Sequence, residues 1–126
     1  MVNWISVRSI LAIANIHEFS TRSIDFILSF TQVYIDADVF VELPVVMGFD
    51  GNRGEWVLKL NKSLYGLNQA SEDWFDLIKT GIERRGYHQS QFYPSVFYIK
   101  YSVILTYVDD CVIVSHKQET ITSLIE

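Results

Sequence analysis

Val103-Ile104-Leu105-Thr106-Tyr107-Val108-Asp109-Asp110-Cys111-Val112-Ile113-Val114 is the stretch on which the fold turns. Val103 to Val108 is an apolar run rich in β-branched residues, and Cys111 to Val114 resumes it after two aspartates. The pattern reads as strand, tight acidic turn, strand. A hairpin built only for structure would favour Asn-Gly or Asp-Gly at such a turn. Two adjacent carboxylates instead raise the pKa of one of them unless something positive is bound. A divalent cation removes the conflict, and Mg²⁺ suits a site of few carboxylates and several waters. A solvated turn is the plain alternative for Asp-Asp by itself, because so short a motif recurs by accident.

Outward from that hairpin, Val96 to Ile99 is a further strand. Before it lies the clearest helix. Ser71 is placed as its N-cap, Glu72 and Asp73 sit in the first turn, and Trp74, Leu77, Ile78 and Ile82 recur at helical spacing. Arg84 and Arg85 close the last turn, and Gly86 supplies a left-handed stop. Val39 to Leu43 and Trp56 to Leu60 read as two strands of a hairpin whose long loop holds Gly48, Asp50, Gly51, Asn52 and Gly54. Arg22 to Phe26 is extended, with Asp25 between Ile24 and Phe26. Asn3 is the expected cap of a first helix that carries Ile5, Val7, Leu11, Ala14 and Ile16 mainly on one face. The order helix, strand, hairpin, helix and three strands predicts an α+β domain with a mainly antiparallel sheet.

Asp25 has two readings, a strand-end residue bonded to backbone or a metal ligand. An antiparallel sheet can bring it beside the Asp109 turn. Three carboxylates gathered there would serve two ions roughly 3.5–4 Å apart, a pair able to drive phosphoryl transfer.

Composition narrows the class. The 126 residues suffice for one compact domain, and 49% hydrophobic against 20% charged residues is a globular balance. No apolar run reaches the roughly 18 residues of a membrane span, and no secretory signal is apparent. Cys111 is the sole cysteine, which excludes an internal disulfide and a thiolate zinc cluster. The net charge of -5 argues against a simple nucleic-acid-binding module. His17, His88 and His116 lack metal-site spacing and read as surface or loop residues. Lys59, Lys62, Arg84 and Arg85 suit a phosphate backbone or, equally, a solvated face. Phe30 and Tyr65 would be core residues in most domains, and Trp74, on the apolar face of its helix, is assigned to the core.

Four ordered blocks carry a resemblance. Asn61-Lys62-Ser63-Leu64-Tyr65-Gly66-Leu67-Asn68-Gln69-Ala70, followed by Trp74, resembles the K-S-L-Y-G-L-K-Q-A-x-x-x-W block of copia-type retrotransposon reverse transcriptases. Val39 to Pro44 resembles the block before it, and Tyr107-Val108-Asp109-Asp110 the polymerase signature. Ile24-Asp25-Phe26-Ile27-Leu28-Ser29-Phe30 is similar to the first catalytic block, L-D-V-K-T-A-F. The match is partial as regards the whole enzyme and runs from about Asn3 to Ser115.

The resemblance implies a right-hand polymerase: palm over about 1–34 and 65–126, and a fingers hairpin over about 35–64. It implies that Asp25, Asp109 and Asp110 bind two Mg²⁺ ions, with Mn²⁺ able to substitute, Asp25 and Asp109 being the more direct ligands. A primer 3′-hydroxyl would attack the α-phosphorus of a deoxynucleoside triphosphate on an RNA or DNA template. Phe30 would pack under the sugar and exclude a ribose 2′-hydroxyl, and Tyr65 and Gly66 would approach the nucleotide. Further implied are the remainder of a polyprotein as partner, no membrane, an intracellular location in a cytoplasmic particle or the nucleus, and a thumb and RNase H domain beyond residue 126. The polypeptide alone is therefore expected to have little or no polymerase activity.

The chain departs from the family pattern at Ile27, where the family has lysine, at Thr31-Gln32-Val33 in place of L-N-G, at Ser71 in place of proline, and at Phe92-Tyr93-Pro94-Ser95 in place of V-D-P-C. No metal ligand is lost. A decayed remnant, a partner-binding fragment, a small metal-dependent phosphohydrolase and a purely structural α+β domain are the competing readings.

Overall fold

β-Branched runs in the C-terminal half make the strands that organise the fold, and a computed structural model of the chain describes residues 4–125. In chain order the elements are α1 (Trp4–Ile16), β1 (Ser20–Asp25), β2 (Phe40–Glu42), β3 (Val57–Lys59), α2 (Ala70–Arg84), β4 (His88–Gln89), β5 (Val96–Ile99), β6 (Ser102–Tyr107), β7 (Asp110–Ser115) and α3 (Gln118–Ile125). The architecture is α+β, with three helices and a mainly antiparallel sheet among the described residues. No described helix is long and apolar enough to cross a membrane. The chain divides into two units, Leu28–Trp74 and the sequence on either side of it.

In the flanking unit, five strands run in the order β1-β7-β6-β5-β4, and every pairing is antiparallel. Cross-strand partners share a face, so Phe97, Ile104 and Ile113 lie on one side, where Phe97 has no exposed surface. Phe75 of α2 covers that side, its ring 6.4 Å from the Phe97 ring. Val96, Leu105 and Val114 are buried on the other side. Polar groups inside are paired: the Tyr87 hydroxyl donates to Ser102 Oγ (2.8 Å), which donates to the Val114 carbonyl (3.0 Å). α3 packs on β7 and β1 through the fully buried Ile121.

α1 reaches β1 by a Schellman turn. The Phe19 amide donates to the Ala14 carbonyl (2.8 Å) and the Glu18 amide to that of Asn15 (3.3 Å), with Glu18 at φ +56°. α2 stops at Gly86, φ +86°, as its sequence predicts.

In the unit Leu28–Trp74, β2 and β3 form the expected hairpin in the register Phe40↔Lys59, Val41↔Leu58 and Glu42↔Val57. A bridge between Tyr34 and Lys62 extends it. The long loop is shaped by Asn52, whose side chain accepts from the Gly54 amide, and by Arg53, which donates to the Leu43 carbonyl.

Several elements differ from the sequence reading. α2 starts at Ala70, because the Ala70 amide already bonds the Leu67 carbonyl and the Gln69 carbonyl accepts from both Glu72 and Asp73. Ser71 is therefore inside the first turn and not the N-cap. α1 does not bury the expected face: Ala14 is buried and Val7 half-buried, but Ile5, Leu11 and Ile16 are exposed. The helix is apolar on nearly every side, so one packed face leaves the others in water. β4 and α3 are additional elements, and Asn3 lies outside the described residues.

Candidate functional site

The acidic turn is closed by the pair Tyr107↔Asp110, which leaves Val108 and Asp109 as its two central residues. Asp110 is thus the first residue of β7 rather than part of the loop. Val108 alone of the two has positive φ, +53°, which is the φ pattern of a type II′ turn. That conformation is costly for a β-branched residue, and the sequence supplies no glycine to relieve it.

β1 brings the third carboxylate. Asp25 is the register partner of Asp110, and the Phe26 amide donates to the Asp109 carbonyl at 2.8 Å. A bond one step beyond the Asp25–Asp110 pair makes that pair a non-hydrogen-bonded one, the kind with closer side chains and Cα atoms about 4.5 Å apart. Tyr107, Asp110 and Asp25 therefore form one row across β6, β7 and β1, on one face of the sheet. Asp25 and Asp110 are exposed and Asp109 is half-buried. Among the described residues no cationic side chain pairs with any of the three, the sole ion pair being Lys59–Asp38 in the β2–β3 unit. Like charges directly opposite each other destabilise a sheet.

The donor set fits a hard divalent cation. It offers carboxylate oxygen only, open to water. No group of three or more His, Cys, Asp or Glu side chains converges among the described residues, so an all-protein cage is absent. Mg²⁺ is ordinarily held by one or two carboxylates with substrate phosphates and water completing its shell. Beside the row, Trp4 and Val7 of α1 join Ser23, Leu105, Thr106, Tyr107, Asp110 and Val112 around a cleft of about 220 Å³. Cys111, next in line, is buried, and its thiol is pushed up to about 12 by that burial and secondarily by the Asp110 charge. It is a packing residue with an inert thiol.

The other sequence-selected residues lie in the unit Leu28–Trp74. Phe30 is buried and opens a 3-10 turn, Phe30–Gln32. Its ring lies 4.5 Å from that of the half-exposed Tyr65, tilted 46°. Gly66 has φ +100°, and a Cβ there would meet no atom of the described residues within 4 Å, so its backbone conformation and not packing against them asks for glycine. Two serines of this unit, neither singled out from the sequence as a site residue, are also fully buried. Ser29 is fully buried with Oγ 3.3 Å from Tyr65 Oη, and the buried Ser63 Oγ lacks a hydrogen-bond partner among the described residues. His17, His88 and His116 are all exposed, and Trp74 is buried.

The family model for reverse transcriptase (RNA-dependent DNA polymerase) matches residues 1–126. The chain belongs to this family. It is 29% identical over 130 residues to the Retrovirus-related Pol polyprotein from transposon TNT 1-94 of Nicotiana tabacum, a match covering 98% of this chain and 10% of that protein. It is 32% identical over 113 residues to the Pol polyprotein from transposon RE1 of Arabidopsis thaliana, covering 86% of this chain and 8% of the relative. Against the Transposon Ty1-DR4 Gag-Pol polyprotein of Saccharomyces cerevisiae the identity is 29% over 100 residues, 79% of this chain and 6% of the relative. These are polyproteins of copia-type transposons, and this reverse transcriptase chain spans about a tenth or less of their length. No solved structure matches it.

Proposed function

We propose that this reverse transcriptase chain is the part of a retrotransposon polymerase that holds the catalytic ions and meets the incoming nucleotide. The supporting observation is the register Asp25↔Asp110 beside a two-residue turn carrying Asp109, three carboxylates with no cationic partner among the described residues. The strain at Val108 belongs with this reading, since left-handed non-glycine residues concentrate at functional sites.

On this reading the palm comprises about 1–34 and 65–126, and about 35–64 form a fingers hairpin. Asp25, Asp109 and Asp110 would hold two divalent ions, Mg²⁺ or Mn²⁺. When bound, these would lower the pKa of a primer 3′-hydroxyl and take up charge on the leaving pyrophosphate. Asp25 and Asp110 contribute a solvent-facing pair of oxygen donors, and the Phe26–Asp109 backbone bond fixes the turn against β1. Phe30 would exclude a ribose 2′-hydroxyl, while Tyr65 and the bare backbone of Gly66 approach the nucleotide. Template, primer and deoxynucleoside triphosphates are substrates of the longer polyprotein. The 126 residues alone bind ions and nucleotide with little or no polymerisation.

The test is Mn²⁺ binding by the chain and by Asp25→Asn, Asp109→Asn and Asp110→Asn. Loss of binding in Asp25→Asn together with loss in the turn variants supports one site built from distant segments. Equal binding in all four proteins would sink it.

A further inference from the structure

Ser29 stands at the N-cap position of the 3-10 turn Phe30–Gln32, where a serine hydroxyl ordinarily accepts from the next backbone amides. Its side chain makes no such bond. Its Oγ lies instead 3.3 Å from Tyr65 Oη, 36 residues away, and none of Ser29 is exposed. The Tyr65 ring, 53% exposed, is the one that leans on Phe30 at 4.5 Å. The motif L-D-V-K-T-A-F has alanine where this chain has Ser29, and a methyl group would fill the space without holding a phenol.

We infer that Ser29 is a positioning residue: through Tyr65 Oη it fixes the tilt of the Tyr65 ring against Phe30, and thereby sharpens discrimination between deoxyribose and ribose at that aromatic pair. The inference rests on the reading that Phe30 and Tyr65 meet the nucleotide. A half-exposed tyrosine keeps rotational freedom, and a bond to a buried hydroxyl anchored in a backbone turn removes it. Being wholly buried, Ser29 offers no surface to a ligand and acts only through Tyr65.

The experiment measures dissociation constants of dATP and ATP in Mn²⁺ for the chain, Ser29→Ala, Tyr65→Phe and the double variant. The parent chain is expected to prefer dATP. Either single variant is expected to lower that preference about two- to threefold, the low end for one hydrogen bond because 3.3 Å is long for two hydroxyls, and the double variant no further. A merely structural serine would weaken both nucleotides alike and leave the ratio intact. Tyr65→Phe breaks the same bond from the exposed side, so the test survives a Ser29→Ala chain that fails to fold. An unchanged ratio in the single variants, or losses that add in the double, overturns the role of Ser29 and leaves the nucleotide reading standing. A parent chain that binds neither nucleotide, or both equally, overturns the nucleotide reading and this inference with it.

Discussion

Phe97, Ile104, Leu105, Ile113 and Val114 of the five-stranded sheet are almost wholly withdrawn from water, whereas Val45, Val46, Met47, Trp56 and Val57 of the β2–β3 unit are each more than half exposed. Both groups are strongly apolar, so hydrophobicity alone does not decide burial. The sheet strands are four to six residues long over most of its width, and side chains are buried on both faces. β2 and β3 have three residues each, and a two-stranded ribbon of that length cannot bury its own side chains. Apolar residues are buried where repeated antiparallel pairing builds a layer wide enough to pack on.

The largest test of this contrast is a pair of truncations. Phe97→Ala is expected to cost about 3–5 kcal/mol, from lost transfer energy and the cavity left behind. Val46→Ala, at 92% exposed, should stay within about 0.5 kcal/mol. Denaturant melts of both variants measure this, and comparable costs would break the contrast.

A second test uses the sheet's buried thiol. Cys111 has its pKa raised from 9.0 to about 12 in the fold. The folded chain therefore keeps a proton that the unfolded chain loses, and stability falls as pH rises from about 9 to 12. The slope is roughly 1.4 kcal/mol per pH unit for one such group. Below pH 9 there is no effect. Cys111→Ala should remove this part of the alkaline loss, read as the difference between the two melting curves, and parallel curves would count against a sheet interior closed around Cys111.

The smallest effect concerns how the sheet is entered. Glu18 occupies the left-handed position of the α1 Schellman turn that Gly86 occupies after α2. Glu18→Gly is expected to stabilise the chain by about 1 kcal/mol. A destabilised variant would show that the Glu18 side chain does something the turn geometry does not explain.

Much of the sheet was legible because its signals are local. β5, β6, β7 and the β2–β3 hairpin follow from β-branched runs bounded by turn residues, and the end of α2 from Arg84, Arg85 and Gly86. The turn after α1 was not legible, since glutamate is no signal for a left-handed backbone. β4 is two residues long and exists only as the edge partner of Phe97 and Tyr98. α3 is eight residues with one fully buried side chain, too short for a helical period to show. Of the candidate site, the residue types were legible, but the register that sets Asp25 opposite Asp110 was not.

The sequence by itself determined the family, the α+β class and which carboxylates and aromatics stand out, because motifs and periodicities are properties of neighbouring residues. Only the tertiary structure decided that Asp25 faces Asp110 across a non-hydrogen-bonded pair, that Tyr107 shares their row, and that the Ser29 hydroxyl reaches Tyr65 instead of capping its own turn. These facts depend on strand register and on contacts between residues 36 or more positions apart, where a slip of one residue would turn every side chain to the opposite face.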